Sequence, residues 1–220
     1  MEDLLSKINK LNLSIFHFFN QTFGKQEVDN VSIFWDKFGG PHVFHYHFLF
    51  IIIIASILLY HKRNTKSELK ELVTLGTSSI ITLFLSIIFS LVLIIDSLKE
   101  YAATNRPYCA LKNIHVIQEV VEKTSCLRGF PSGHMAFSII MVASFWPLLN
   151  RAFKGVAIII LVMIGISRIA SGAHYPIDLI GAILIALPIT IFIRNKTETV
   201  VRKYEERLKI FDYLHGKIYK

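Results

Sequence analysis

The sequence predicts an all-α protein, a polytopic transmembrane helical bundle of about five to six spans with an N-terminal interfacial helix. Three observations carry that prediction. The 220 residues are 53% hydrophobic, with a mean hydropathy of +0.49, more apolar than an ordinary soluble domain. The apolar residues gather into runs near the ~20 residues that a helix needs to cross a hydrocarbon core. The Lys and Arg residues behind the net charge of +8 lie between those runs. A nucleic-acid module would concentrate them on one polar face, so the excess reads as a topology signal, with part of it reserved for an anionic ligand.

Residues 1–23 place Leu4, Leu5, Ile8, Leu11, Leu13, Ile15, Phe16, Phe18 and Phe19 among charges and amides. That spacing suits an amphipathic helix lying at the membrane interface. Glu2 and Asp3 stand where a cleavable signal peptide would have its basic start. Phe34, Trp35, Phe44 and Tyr46 suit an interfacial aromatic belt. Five spans are expected, at Val43–Tyr60, Val73–Leu98, His134–Leu149, Gly155–Ile169 and Pro176–Ile193. The chain then reads as one domain: an outer N-terminal segment (1–42), a transmembrane core (43–193) and a basic tail (194–220).

Basic residues beside spans favour the cytoplasmic side. Lys62, Arg63, Lys66 and Lys70 follow the first span, and Arg151 and Lys154 follow the third. The tail carries Arg194, Lys196, Arg202, Lys203, Arg207, Lys209, Lys217 and Lys220. Five alternating spans put all three groups on one side, so the C-terminus is expected in the cytoplasm, and the tail reads as a basic helix on the anionic inner leaflet. The N-terminus, the loop at 99–133 and the turn at 170–175 are then expected to face outward. Both cysteines, Cys109 and Cys126, fall in that outer loop, where disulfides persist. They are expected to pair, stabilising by roughly 3 kcal/mol in the chain-entropy model; two unpaired thiols are the alternative. Two cysteines alone do not make a structural zinc site.

Three polar clusters interrupt the apolar pattern, and all are expected on the outer face. The first is Lys99, six residues, then Arg106-Pro107; the second is Pro131-Ser132-Gly133-His134; the third is Ser167-Arg168, five residues, His174, three residues, Asp178. Ser132 stands where it can cap a helix whose N–H groups then face an anion, and Gly133 lets backbone approach closely. Taken alone, that tetrapeptide is more commonly a plain helix cap. His174 and Asp178 are one helical turn apart, with Pro176 placed for the first turn. A carboxylate on one ring nitrogen leaves the other free to attack, or it simply satisfies a helix-end histidine. Lys99, Arg106 and Arg168 each suit an anchoring role at a span end. Converging, they suit a phosphoryl group and the charge it gathers in its transition state.

Together the clusters resemble the membrane-bound type 2 phosphatidic acid phosphatase superfamily, whose motifs are K-x6-R-P, P-S-G-H and S-R-x5-H-x3-D in that order. Every specified position matches, over residues 99–178. Many members have six spans, against five counted here. The resemblance implies that His174 attacks phosphorus, that Asp178 orients it, and that His134 protonates the leaving oxygen. Lys99, Arg106, Ser132, Gly133 and Arg168 would hold the phosphoryl oxygens. It implies neither metal nor cofactor, and no partner beyond a membrane lipid phosphate and the bilayer around it. The expected activity is removal of a terminal phosphate at the outer face of a bacterial-type cytoplasmic membrane. Undecaprenyl diphosphate or lipid A is favoured as substrate, with phosphatidylglycerophosphate and phosphatidic acid also in the family's range.

A vanadium-dependent haloperoxidase has a similar anion site, but the apolar runs argue against a soluble enzyme. A non-catalytic lipid-phosphate binding or transport protein is the alternative from another class. His42, His45 and His47 crowd one segment without nearby acids or cysteines, which speaks against a metal site there. Asp96 lies one turn before Lys99 and is placed to pair with it.

Overall fold

The computed structural model describes residues 2–41, 66–122 and 124–218, and the regular structure within them is helical. The span expected at Val43–Tyr60, the histidines His42, His45 and His47, the aromatics Phe44 and Tyr46, and the cations Lys62 and Arg63 fall outside the described residues. An N-terminal pair is formed by α1 (Glu2–Phe23) and α2 (Asp29–Gly39). Next, α3 (Lys66–Ser86) runs through a π-helical segment (Ile87–Ile95) into α4 (Asp96–Ala102). The loop that follows holds two single turns, α5 (Pro107–Ala110) and α6 (Gln118–Val121). The bundle is completed by α7 (Gly133–Phe145), α8 (Arg151–Ala170) and α9 (Pro176–Ile218).

The innermost helix is α7, and most of its circumference is apolar and buried, the pattern of a central helix. It packs against α9, α3 and α8, with Leu83, Ile95, Ile140, Ile169, Ala182 and Ala186 in one core cluster. A 3₁₀ turn at Trp146–Leu148 ends it, where Pro147 cannot continue the hydrogen-bond ladder. Asn150 then caps α8 by accepting from Phe153 N at 2.9 Å. Small and hydroxylated residues let α3 and α9 approach closely. Thr82 and Thr197 share a hydrogen bond of 2.6 Å, and Thr74 donates to Glu205 at 2.5 Å.

Among the described residues, three stretches are long and apolar enough to cross a membrane: Lys70–Ala110, Arg151–Ala170 and Pro176–Arg207; Gly133–Leu148 is apolar but shorter. The second expected span is thus part of a longer helical rod that includes the π-helical segment. No break separates the last span from the tail either. With 43 residues, α9 extends about 65 Å, some twice the ~30 Å hydrocarbon core. Its continuation pairs with α3 through Arg202, which donates to Glu71 at 2.6 and 3.0 Å.

The N-terminal helix is tied down by buried polar groups as well as apolar ones. Phe16 is fully buried and meets the Tyr175 ring at 5.4 Å, while Leu4, Leu5 and Leu11 are exposed. Asn20 is also buried. Its amide donates to His115 O and Ala170 O and accepts from His115 N, each at 2.9 Å. Asn12 accepts from Ile177 N at 3.0 Å, satisfying an amide at the start of α9.

Candidate active site

At one end of the bundle, the last turn of α8 and the start of α9 are joined by a tight turn. Gly172 takes φ +75° there, and a Cβ would come within 3.0 Å of His115 O, so only glycine fits without strain. The turn is closed by Gly172 N donating to Ile169 O at 3.0 Å and His174 N donating to Arg168 O at 3.1 Å. Those bonds fix His174 directly beneath the end of α8. On the other side, Asp178 accepts from Tyr175 N at 2.9 Å, and its own carbonyl accepts from Ser132 N at 3.0 Å. The starts of α7 and α9 are thereby held together. Ser132 caps α7 with a long 3.5 Å bond from Met135 N.

The two nitrogens of His174 have different partners. Nδ1 lies 3.2 Å from Asp178 Oδ2, and Nε2 lies 2.9 Å from Arg106 Nη1. A guanidinium only donates, so Nε2 accepts and the ring proton sits on Nδ1, facing the carboxylate. Burial, and then the charges of Arg106, Arg168, His134 and Lys99, push the His174 pKa well below the usual histidine value. The ring is therefore held neutral, with a lone pair on Nε2.

Arg106 is buried and fixed by three carbonyls. Its Nε donates to Ser125 O at 2.9 Å, Nη1 to Ala173 O at 3.0 Å, and Nη2 to Arg128 O at 2.9 Å. The Cys109–Cys126 disulfide forms as expected. It closes the same loop, where Arg106 N donates to Cys126 O at 2.9 Å. Lys99 Nζ lies 3.9 Å from Asp96. A Cβ at Gly133 would come 2.7 Å from that ammonium, so the glycine makes room for the lysine. Arg168, 1% exposed, forms an ion pair with Asp36, and its Nε has no hydrogen-bond partner among the described residues.

Lys99, Arg106, Gly133, His134, Arg168 and His174 line one cavity of about 220 Å³. Asp178 stands behind His174, and Ser132 is buried at the cap. A larger opening of about 470 Å³ lies between Asn9, Asn12, Phe130 and Tyr175. It gathers no cations, so the smaller cavity is the candidate site. Three cations, a spare buried donor and a neutral imidazole fit an anionic, tetrahedral group. Among the described residues, no three His, Cys, Asp or Glu are placed to hold a metal ion.

Two contributors escape a reading by motif. Asp36 reaches both Arg168 and His134 from α2; its sequence signal was a lone carboxylate in the apolar stretch Val31–Gly40, costly beside a membrane unless it is used. Arg128 pairs with Asp96 at 3.2 Å and Glu100 at 3.1 Å, while its carbonyl holds Arg106. No sequence pattern announces that contact.

The fold is similar to the crystal structure of Aquifex aeolicus LpxE, with a TM-score of 0.61 over 83% of this chain and 94% of that one, at 21% identity. A search of curated proteins finds no match. The sequence model of the PAP2 superfamily matches residues 71–202, which run from α3 into α9 and bring Lys99, Arg106, His134, Arg168 and His174 to the cavity. With that match extending over more than half of its length, the chain belongs to the PAP2 superfamily.

Proposed function

We propose that this protein is a metal-independent, integral-membrane lipid phosphatase working through a phosphohistidine. The observation that supports it best is the pair of hydrogen bonds on His174, which keep the proton on Nδ1 and leave Nε2 unprotonated inside a ring of cations, its lone pair held by Arg106 until a phosphoryl group takes that place. In the first step, that lone pair forms a bond to phosphorus. The P–O bond to the lipid breaks, its electron pair stays on the leaving oxygen, and His134 supplies the proton. In the second, His134 takes a proton from water, the hydroxide attacks phosphorus, and the N–P bond returns its pair to Nε2. Lys99, Arg106 and Arg168 hold the phosphoryl oxygens in both, with Gly133 allowing close approach and Ser132 capping the helix that faces them.

A cavity of about 220 Å³ takes a phosphate head and not an acyl or prenyl tail. Leu91 lines it, and the neighbouring Ile88, Phe89, Val92 and Leu93 are exposed on the π-helical segment. A tail lying along that apolar surface stays in the bilayer while its head enters the site. Undecaprenyl diphosphate and lipid A are the favoured substrates, ahead of phosphatidylglycerophosphate and phosphatidic acid. The site works at the outer face of a cytoplasmic membrane, with the C-terminus inside.

The test is phosphate release by the detergent-purified protein, with chelator present, from each of these four lipids. Release by the wild type and its loss in His174→Ala, together with acid-labile phosphate trapped on the protein after alkaline quenching, is the expected result. Binding of lipid phosphate without any release would overturn catalysis in favour of a binding or transport protein.

A further inference from the structure

We propose that Asp36 is a positioning residue for this site, holding the proton donor His134 and the phosphoryl-binding Arg168 in one register. The inference rests on the phosphatase reading above and adds to it a residue about 60 positions upstream of the first motif. Its carboxylate Oδ1 pairs with Arg168 and stands 3.7 Å from His134 Nε2. Arg168 comes from the end of α8 and His134 from the start of α7, so one oxygen on α2 joins two helices.

The placement repeats a pattern within the site. Asp178 stands behind His174, Asp96 accompanies Lys99, and Asp36 stands behind Arg168 and His134. Asp36 is not among the residues lining the cavity, so it supports the two groups from outside rather than competing with phosphate. The packing explains why it can. The Asp36 side chain is 14% exposed, α2 lies against α8 and α7, and Ser138 on α7 donates to Gly39 O at 3.3 Å. Asp29 anchors the other end of α2, accepting from His115 Nε2 at 2.7 Å.

Among the described groups around the His134 ring, Asp36 approaches from α2 and Arg168 from α8, with Lys99 on α4 adding positive charge across the cavity. Among these, Asp36 supplies the negative charge nearest the His134 ring. Without it, the imidazole loses the counter-charge 3.7 Å from Nε2 and faces the positive charges of Arg168 and Lys99. Loss of Asp36 therefore weakens proton donation more than phosphate binding. The defect depends on the leaving group: an alkoxide needs the proton, and a nitrophenolate does not.

The experiment compares phosphatidic acid in mixed micelles with p-nitrophenyl phosphate, for the wild type, Asp36→Asn, Asp36→Glu and His174→Ala. Expected for Asp36→Asn is a fall in kcat/KM, which reports the transfer to His174 and not the shared hydrolysis step, of about 10- to 100-fold on phosphatidic acid and under about threefold on the aryl ester, as for loss of assistance to a general acid. Asp36→Glu keeps the charge but moves it, and falls between wild type and Asn on phosphatidic acid alone. In a His134→Ala background, Asp36→Asn adds little. Equal losses on both substrates, or no loss, overturn the proposal. Should Asp36→Asn not fold, Asp36→Glu is decisive by itself: a loss confined to phosphatidic acid supports the role, and unchanged discrimination overturns it. Loss of both activities in His174→Ala with intact wild-type turnover shows that the phosphatase reading stands independently. Absence of turnover in the wild type overturns both.

Discussion

At His174, Arg106 donates to Nε2 while Asp178 accepts from Nδ1–H, and burial with four nearby cationic or ionisable groups lowers the ring's proton affinity. The expected outcome is a ring that stays neutral, protonated on Nδ1, at pH values where an exposed histidine, near 6.5, is charged. Nitrogen NMR of ¹⁵N-histidine-labelled protein reads the tautomer directly; a midpoint near 6.5 for this ring would contradict it. The stability sign follows from the same shift. The unfolded chain takes up this proton at the ordinary value and the folded chain only at lower pH, so His174 costs stability as pH falls below about 6.5, until the folded ring itself protonates. Arg106 depends on geometry as much as charge, since three carbonyls and a ring nitrogen occupy its fork. Arg106→Lys keeps the charge and loses the fork, and kcat/KM for lipid phosphate should fall by about 100-fold, measured at saturating detergent with the folded state checked by melting.

Elements matter here through what their ends present. The loop from α4 to α7 serves as a mould for Arg106, its carbonyls at Ser125 and Arg128 aimed inward, and the Cys109–Cys126 bond closes it. The paired change Cys109→Ser with Cys126→Ser should lower the unfolding temperature, with a cost of roughly 2–4 kcal/mol, and reduce activity further than helix loss accounts for. Circular dichroism beside a phosphate-release assay separates the two. The N-terminal helix is held in a comparable way by Asn20. Replacing it with Ala strands the His115 amide and removes the partner of two carbonyls, at a cost of about 1–3 kcal/mol in detergent melting. A cost within error would mean that α1 is held by its apolar face alone.

Across the whole molecule, α3 and α9 form the long pair on which the site is mounted, and their distal ends meet through surface charges. Arg202 and Glu71 are each about half exposed, so that pair contributes at most about 1 kcal/mol. The buried contact of Thr82 with Thr197 and the part-buried one of Thr74 with Glu205 both precede residue 208. A chain ending at Arg207 should therefore fold and release phosphate as the full chain does. Loss of activity from a truncated protein with unchanged melting would give the tail a functional role.

Most of the fold class and of the candidate site was legible in the sequence because both rest on local signals. Apolar runs declare helices that a hydrocarbon solvent can accommodate, and Lys99, Arg106, Ser132, Gly133, His134, Arg168, His174 and Asp178 stand in motifs whose spacing is kept by short helices and turns. The span boundaries were less legible: the rod through Ile87–Ile95 and the unbroken α9 continue past the apolar runs, since helix propagation does not stop where hydropathy does. Tertiary structure alone decided what reaches the site from a distance. Asp36 arrives by helix packing, the carbonyls of Ser125, Arg128 and Ala173 by loop closure, and Asn20 by burial of a polar side chain. Backbone carbonyls have no sequence signature, and a lone carboxylate becomes informative only once packing shows which charge it meets.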